Sequence, residues 1–262
     1  MTASTKQRQD AILSQAYEIG HVTVRDLAED LGVSEATIRR DLHALSEQGR
    51  LELAHGGAFV TRRSDYSFRS KAMRNVEAKR TIGRLAAEFV SDGEQMFLDS
   101  GTTAYEIARR LRGKRGLSVI VNSVRVAEEL DAPGLEVIML GGQYRPDRMD
   151  TVGPMALDTL DQLRGYVALI GADGLSMEFG LTASDMDSAH LFRLAVRNAR
   201  ESVLVADESK FAAPSLYRIV DWDAITRVIT NRRPEDAWCE FLHGRGIELI
   251  CPSDEPGVER EP

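Results

Sequence analysis

Near its N-terminus the chain reads VRDLAEDLGVSEATIRRDL over residues 24–42. Ala28 is small enough to let two helices cross closely, Gly32 permits a tight turn, and Ile38 lies on the inner face of the second helix. This spacing is typical of a helix-turn-helix, whose second helix enters the major groove of DNA. Many other folds also join two amphipathic helices by a glycine, so the spacing alone leaves DNA binding and a structural role open.

The flanking residues extend this pattern into a winged helix-turn-helix over residues 1–60. Apolar residues recur at helical spacing from Ala11 to Ile19, before the two helices. After them Leu51 and Leu53 alternate like a strand, Gly56-Gly57 forms a turn, and Phe59-Val60 continues as a second strand. Three helices and a short hairpin favour DNA binding over a purely structural helix pair.

Several polar residues are placed to contact DNA. Arginines on the outer face of the second helix can bind guanine edges or phosphates, and hydroxyls at its N-terminus can bind phosphates. The predicted DNA-binding residues are Ser34, Thr37, Arg39, Arg40 and His55. For His55 a role in stabilising the turn is an equal alternative. Asp41 is assigned a structural role, either holding Arg40 or capping a neighbouring backbone group, and the alternative is a solvated charge.

The charge is distributed unevenly along the 262 residues. Residues 1–60 carry 6 Lys/Arg and 9 Asp/Glu, residues 61–80 carry 7 and 2, and residues 81–262 carry 20 and 30. An acidic body with a basic middle segment suits a chain whose halves have different partners. Residues 61–76, polar and basic with little periodicity, are interpreted as a linker, and the tail 253–262 is expected to be disordered.

Composition excludes several classes of protein. No apolar run approaches the roughly 18 residues of a membrane helix, and the N-terminus lacks an apolar signal core, so we expect a cytoplasmic protein without a membrane partner. Two cysteines, Cys239 and Cys251, make neither a disulfide framework nor a four-ligand zinc site. Asp185, Asp187 and His190 suggest a metal cluster, but helix capping is favoured. We expect no metal and no cofactor.

Residues 77–252 predict an α/β domain with a mostly parallel sheet. Short apolar runs alternate with helical patterns, as in strands that are buried on both faces. The runs are residues 96–98, 119–121, 137–140, 167–170, 203–205, 227–229 and 247–250.

Polar clusters follow five of these runs, where an open α/β sheet has its ligand crevice. Glycine, hydroxyls and helix N–H groups at such a junction suit an anion. The predicted effector-binding residues are Asp99, Ser100, Gly101, Thr102, Thr103, Asn122, Ser123, Gly141, Gly142, Arg145, Asp173 and Lys210. For Asp99 and Asp173 the alternative is loop capping, and for Arg145 and Lys210 a solvated charge.

Both halves resemble one family. Residues 34–42, with Arg8 upstream and His55-Gly56-Gly57-Ala58 downstream, are similar to the N-terminal domain of the DeoR-type bacterial sugar-responsive transcriptional regulators. Matches to the family's C-terminal domain comprise Phe68-Arg69, Lys79, residues 98–103, Asn122-Ser123, Gly141-Gly142 and residues 206–211. The resemblance covers about residues 6–231. Residues 164–170 depart from the family pattern, which leaves the ligand's identity open.

This resemblance implies a repressor of carbohydrate-metabolism genes that is released from operator DNA by a phosphorylated sugar. It also implies a sensor domain related to ribose-5-phosphate isomerase and CoA-transferase folds, and a homo-oligomer, dimer or tetramer. An activator would use the same domains. The alternative from another class is a sugar-phosphate isomerase or CoA-transferase-like enzyme, which would need a carboxylate base and a cation beside the reacting carbon.

Overall fold

The computed structural model describes residues 4–19, 21–60 and 68–252. The chain divides into two compact units, Met1–Val76 and Glu77–Pro262. No helix of the described ranges is both long enough and apolar enough to cross a membrane. The predicted tail 253–262 lies outside the described residues.

The first unit contains helices followed by a small antiparallel sheet, as the pattern of the first sixty residues predicts. Its elements are α1 (Thr5–Ile19), β1 (His21–Thr23), α2 (Val24–Asp30), α3 (Glu35–Glu47), β2 (Leu51–Ala54), β3 (Gly57–Val60) and α4 (Phe68–Met73). Side-chain caps fix the starts of α2 and α3. Thr23 accepts the N–H of Asp26 at 3.1 Å and Ser34 accepts that of Thr37 at 3.3 Å. Gly32, with φ of +62°, makes the left-handed turn between them.

The wing has one strand more than the two expected from sequence. Its order is β1-β3-β2, and β3 pairs antiparallel with both neighbours. A side chain at Gly57 would collide with the carbonyl oxygen of Val22, so glycine is required where β1 and β3 meet. Three residues are too few for the alternation that identifies a strand, which explains why β1 was not predicted.

The prediction of a linker over residues 61–76 is wrong for its second half. Helix α4 lies there, with Phe68 buried and Met73 packed on the core of the first unit. Ser14 Oγ donates to the carbonyl of Met73 at 3.4 Å, and the Arg74 guanidinium lies 5.6 Å from the ring centre of Tyr17. This helix is held by contacts with α1, which local periodicity does not reveal. Residues 61–67 lie outside the described residues.

The second unit contains a seven-stranded parallel sheet with helices on both faces. Its first elements are α5 (Val76–Phe89), β4 (Gln95–Leu98), α6 (Thr102–Leu111), β5 (Leu117–Val121), α7 (Val124–Glu129), β6 (Leu135–Met139), β7 (Gln143–Arg145), β8 (Asp150–Val152) and α8 (Pro154–Leu160). The others are β9 (Val167–Ile170), β10 (Gly174–Ser176), β11 (Gly180–Ala183), α9 (Met186–Asn198), β12 (Glu201–Val205), β13 (Tyr217–Val220), β14 (Arg227–Ile229), α10 (Asp236–Gly244) and β15 (Glu248–Ile250), with 3₁₀ turns at Glu208–Phe211 and Trp222–Ala224.

All seven predicted runs form the main sheet, in the order β15-β14-β12-β9-β4-β5-β6. Every neighbouring pair is parallel. In β4 the side chain of Phe97 enters the core on one face, while Met96 and Leu98 enter the core on the other. Burial of a side chain of this size contributes roughly 1.5–3 kcal/mol. Strands buried on both faces are apolar throughout, which is why sequence located them.

Two small antiparallel sheets complete the unit and were not expected. One pairs β7 with β8, and the other has the order β10-β11-β13. These strands have three or four residues and include polar positions such as Arg145, Asp150 and Thr182. Neither an apolar run nor a long alternation marks them in the sequence.

Candidate functional site

The predicted DNA-contacting residues lie at the exposed surface of the first unit. On α3, Arg39 and Arg40 are exposed, and the Arg39 guanidinium is 2.6 Å from the carboxylate of Glu35 one turn earlier. The hydroxyls of Ser34 and Thr37 are 2.9 Å apart and bond to each other. His55 is exposed in the two-residue turn between β2 and β3. The helix therefore presents two arginines, of which Arg39 must leave Glu35 before it contacts DNA.

Asp41 is structural, as expected, but its partner differs from the one predicted. Its side chain is only 5% exposed and accepts hydrogen bonds from Arg8 Nε at 2.5 Å and from Gln9 Nε2 at 3.3 Å. Arg40 points outwards instead. This ion pair joins α1 to α3, the second or recognition helix of the helix-turn-helix. Its partners are 33 residues apart, so neighbouring residues in the sequence do not indicate it.

The second group of predicted residues converges at one edge of the main sheet. Strands β12, β9, β4, β5 and β6 are consecutive neighbours, and the five polar clusters follow their carboxyl ends. The carboxyl edge of a parallel sheet is where α/β proteins bind ligands. We refer to this set, together with Asp150 and Thr151, as the sheet-edge cluster.

Asp99 lies at the centre of the sheet-edge cluster. Its carboxylate accepts the N–H of Gly171 at 2.8 Å and that of Gly101 at 3.1 Å. A methyl group at Gly171 would be 2.7 Å from Asp99 Oδ2, so glycine is needed beside the carboxylate. Burial raises the pKa of Asp99 to about 6, although the peptide N–H groups partly oppose it. The carboxylate therefore caps a loop, which is the alternative role, and effector contact stays a prediction.

This pKa predicts a pH dependence of stability. The unfolded value is near 3.8 and the folded value is about 6, so the folded chain holds more protons between these values. Stability should therefore fall as pH rises from 4 to 7, by up to about 3 kcal/mol from this group. Urea denaturation of the wild type and Asp99→Asn across this range should show a flatter profile for the variant. Parallel profiles would contradict the assignment.

The N-terminus of α6 is arranged to receive an anion. Gly101 occupies the N-cap position without a side-chain cap, so N–H groups of the first helical turn lack a side-chain acceptor. Thr102 and Thr103 form that first turn, and the N–H of Gly101 is directed to Asp99. A phosphate is the ligand that such a helix start favours through its partial positive charge.

Asn122 and Ser123 are buried beside Asp99, following the register that pairs Leu98 with Val121. Asn122 Nδ2 donates to the carbonyl of Thr151 at 2.9 Å, whereas Ser123 Oγ accepts the N–H of Val126 and caps α7. Ser123 is thus committed to the helix start. The structure adds Asp150, 1% exposed, whose carboxylate is 3.4 Å from Ser100 Oγ. It lies on a strand too short to be predicted.

Gly141 and Gly142 differ in the space that the structure leaves for a side chain. Gly142 has φ of +149°, and a side chain there would be 2.5 Å from the carbonyl oxygen of Val152. A side chain at Gly141 would meet open space. Gly142 therefore serves the close packing of β8, and only Gly141 leaves room for a ligand.

Arg145 is held by two aspartates and is not the solvated charge of the alternative, while its contact with an effector stays a prediction. Its Nε and Nη2 donate to both oxygens of Asp150, at 2.8 and 2.6 Å, and Nη1 donates to Asp185 at 2.7 Å. Burial tends to lower its pKa, but the hydrogen bond and charge of Asp150 and the charge of Asp185 raise it above the ordinary value. With these donors engaged, Arg145 positions Asp150 and Asp185.

Asp185 caps a helix, which is the role that the sequence favours over that of a metal ligand. It accepts the N–H of Ser188 at 3.0 Å at the start of α9 and pairs with Arg145 and Arg148. Burial tends to raise its pKa, but the Ser188 N–H and the two arginines lower it below the ordinary value. Among the described residues no group of three or more His, Cys, Asp or Glu side chains is placed to hold a metal.

The two remaining candidates lie at the ends of β9 and β12. Asp173 Oδ2 accepts the N–H of Ser184 at 2.8 Å, the loop-capping alternative. Lys210 is half-buried in the turn after β12, and its ammonium group has no ion-pair partner within the described ranges. The next residue, Phe211, packs edge-to-face on Trp238 with ring centres 5.2 Å apart. Lys210 is therefore a cation of the cluster without an ion-pair partner among the described residues, and it directly precedes a side chain that packs on Trp238.

Family models match both units. Residues 8–63 match the DeoR-like helix-turn-helix domain, and residues 74–232 match the DeoR C terminal sensor domain. The chain belongs to the DeoR family. This DeoR-family chain is accordingly a DNA-binding transcriptional regulator with an N-terminal helix-turn-helix and an α/β sensor domain. The fold class predicted from sequence is confirmed.

Named relatives align with the DeoR-family chain over nearly its whole length. It is 33% identical to the putative aga operon transcriptional repressor of Escherichia coli O157:H7, over 94% of this chain and 93% of that one. It is 32% identical to the HTH-type transcriptional repressor GlcR of Bacillus subtilis, over 97% and 99%.

A solved structure with a more distant likeness is ribose 5-phosphate isomerase A of Methanocaldococcus jannaschii. It is 21% identical, with a TM-score of 0.39 over 53% of this chain and 55% of that one. A likeness at this level carries no conclusion about the chemistry of the sensor domain.

Proposed function

We propose that this chain represses carbohydrate-metabolism genes and leaves its operator when a phosphorylated sugar binds the sheet-edge cluster. The observation that carries the proposal is the convergence of polar groups from five neighbouring strands at the carboxyl edge of a buried parallel sheet. Two relatives that span almost the whole chain are named transcriptional repressors, which supports repression over activation.

The chemistry of the cluster favours a ligand with one anionic end and several hydroxyls. Peptide N–H groups at Thr102 and Thr103 and the ammonium of Lys210 suit a phosphate. Carboxylate and amide groups of Asp99 and Asn122 suit hydroxyl groups, because they accept or exchange hydrogen bonds with them. A phosphorylated sugar combines both ends.

We assign DNA contact to residues 1–60 and effector binding to residues 77–252. Residues 1–60 carry 6 Lys/Arg against 9 Asp/Glu, so a single copy of this segment offers few cations for phosphate. A homo-oligomer, dimer or tetramer, would double these contacts and match a two-fold symmetric operator. We place the protein in the cytoplasm, where operator DNA and sugar phosphates occur together.

The recognition helix gives a test of the DNA half. Arg39→Ala should weaken specific operator binding by about 1–3 kcal/mol if Arg39 contacts a base. Glu35→Gln should strengthen binding modestly, because Arg39 no longer has to leave a carboxylate. Fluorescence anisotropy with DNA from upstream of its own coding region measures both. If Arg39→Ala folds and binds normally, the contact lies elsewhere on α3.

The effector half is tested by substitutions at the phosphate end of the cluster. Sugar phosphates should quench or enhance tryptophan fluorescence, because Phe211 beside Lys210 packs on Trp238. Lys210→Gln and Thr102→Ala should each raise the effector dissociation constant without changing operator affinity in its absence. Replacement of the exposed Arg232 by Gln is the matched control for charge. Equal affinities in all four proteins would move the site elsewhere.

A further inference from the structure

A basic turn lies between α6 and β5, outside both sites described above. It comprises residues 109–115, which read RRLRGKR and carry no acidic residue. Residues 81–262 hold 20 Lys/Arg against 30 Asp/Glu, and five of those 20 fall within these seven positions. A strongly basic segment on an otherwise acidic unit is a local feature with its own electrostatic field.

Most cations of the basic turn are uncommitted. Arg110, Arg112 and Arg115 are exposed and Lys114 is half-buried. None of these four has a carboxylate within ion-pair distance among the described residues, whereas Arg109 pairs with Glu106 at 3.4 Å. Complementing the negative end of the α6 dipole accounts for arginines in the last helical turn, but residues 112–115 lie beyond the end of the helix.

The backbone of the basic turn is held in one shape. The N–H of Arg115 donates to Asp92 Oδ1 at 3.0 Å, and the carbonyl of Arg115 accepts from Gly93 at 2.9 Å. Further along, the N–H of Gly116 donates to the carbonyl of Gly134 at 2.7 Å. A side chain at Gly113 would meet open space, so no residue of the described ranges covers the turn there. The cations thus project from a fixed, accessible support.

We propose that the basic turn is a second DNA contact, which binds backbone phosphates without reading sequence. Four of its five cations are arginines, whose planar guanidinium matches phosphate with two parallel hydrogen bonds. The chain belongs to a DNA-binding family, and its residues 1–60 carry more acidic than basic residues. Cations on the sensor domain would add phosphate contacts to those that residues 1–60 provide.

The position of the turn separates it from the effector site. It precedes β5, so it lies at the edge where the parallel strands begin, whereas the sheet-edge cluster lies where they end. An effector in the cluster does not cover the turn. Contact there adds affinity for DNA of any sequence, and the helix-turn-helix adds specificity.

The test uses the full chain and a 40-base-pair duplex of random sequence. The turn variant carries Arg110→Gln, Arg112→Gln and Arg115→Gln. A control variant with the same change in net charge carries Arg232→Gln, Arg233→Gln and Arg245→Gln, all exposed and distant in sequence. Dissociation constants are measured by fluorescence anisotropy from 50 to 250 mM KCl.

We expect the turn variant to lose about tenfold or more in affinity at the lowest salt, and its log–log salt dependence to be shallower by about 2–3 per chain bound. The control variant should keep the wild-type slope. If both variants change equally, net charge and not contact is responsible, and the proposal fails. A third variant with Arg→Lys at the same three positions keeps the charge and should keep the wild-type salt dependence. If it does, the loss in the Arg→Gln variant is due to the missing charges and not to a folding defect.

Light scattering on the same proteins tests whether the basic turn contacts another copy of the chain instead of DNA. If the turn variant has a smaller mass than the wild type and the control, the turn binds a second copy of the chain, and the DNA contact is overturned. No sugar phosphate enters these measurements. Failure here therefore leaves the proposed effector response untouched.

Discussion

Replacing Arg8 with alanine is expected to lower the free energy of unfolding of the first unit by about 3–5 kcal/mol. Arg8 and Asp41 are 13% and 5% exposed, and the pair joins α1 to α3. Without Arg8 the Asp41 carboxylate stays buried. Within the described ranges, the side-chain donor that remains for it is the amide of Gln9. A buried charge that loses its counter-charge destabilises much more than a surface pair does.

Two spectroscopic probes make this prediction specific to the first unit. Both tryptophans, Trp222 and Trp238, lie in the second unit, so their fluorescence during urea denaturation reports that unit alone. Circular dichroism reports the helices of both. Arg8→Ala should lower the urea concentration at which circular dichroism reports unfolding of the first unit. The transition that tryptophan fluorescence reports should stay unchanged.

Arg39→Ala is the matched control for stability, because it removes an arginine from an exposed pair in the same unit. Its side chain is 59% exposed and that of Glu35 is 50% exposed. A pair of this kind contributes about 0.3–0.5 kcal/mol. If Arg8→Ala destabilised the unit no more than Arg39→Ala does, the Arg8–Asp41 pair would not be what holds α3 against α1.

Gly171→Ala is expected to raise the effector dissociation constant at least about tenfold, or 1.4 kcal/mol. The added methyl would lie 2.7 Å from Asp99 Oδ2, so the carboxylate must move. Movement of Asp99 disturbs its bond to the N–H of Gly101 at 3.1 Å, which holds the start of α6. One methyl group therefore disturbs the contacts proposed for both the phosphate end and the hydroxyl end of the ligand. Overpacking should also cost about 1–3 kcal/mol of stability.

Gly244→Ala controls for the addition of a methyl group elsewhere. A side chain at Gly244 meets open space, and the residue ends α10. Titration of tryptophan fluorescence with the active sugar phosphate compares the two variants with the wild type. An unchanged dissociation constant in Gly171→Ala would show that Asp99 and the α6 start do not form the ligand site.

Sequence predicted those parts of the fold that are encoded in neighbouring residues. The seven apolar runs identify the main sheet because each strand is buried on both faces. The helix-turn-helix could be predicted because Ala28, Gly32 and Ile38, which define it, lie within eleven residues of each other. The polar segments after the strands predicted the ligand edge because parallel strands place their ends together.

Pairings between distant residues could not be predicted. Arg8 and Asp41 are 33 positions apart, and Arg145 and Asp185 are 40 apart. Nothing local distinguishes an arginine that binds a phosphate from one that binds a buried aspartate. Sequence therefore predicts neither the pairing of Arg145 with Asp150 and Asp185 nor the presence of Asp150 in the cluster. Helix α4 was missed for the same reason, since its place is set by packing on α1.

The coupling between the two units sets a quantitative requirement. If a sugar phosphate lowers operator affinity by some factor, operator DNA must lower sugar-phosphate affinity by the same factor. This reciprocity holds whatever the path between the sites. A loss of operator affinity that levels off at saturating sugar phosphate indicates a shared equilibrium between two forms, whereas simple competition for the same surface lowers the affinity without limit.

One titration tests the central proposal most directly. The full chain is bound to labelled DNA from upstream of its own coding region, and a panel of sugar phosphates is added while anisotropy is recorded. Release by one sugar phosphate, and not by its unphosphorylated sugar or by inorganic phosphate at the same concentration, is the expected result. Specific DNA binding that no member of the panel releases would contradict the proposed effector class.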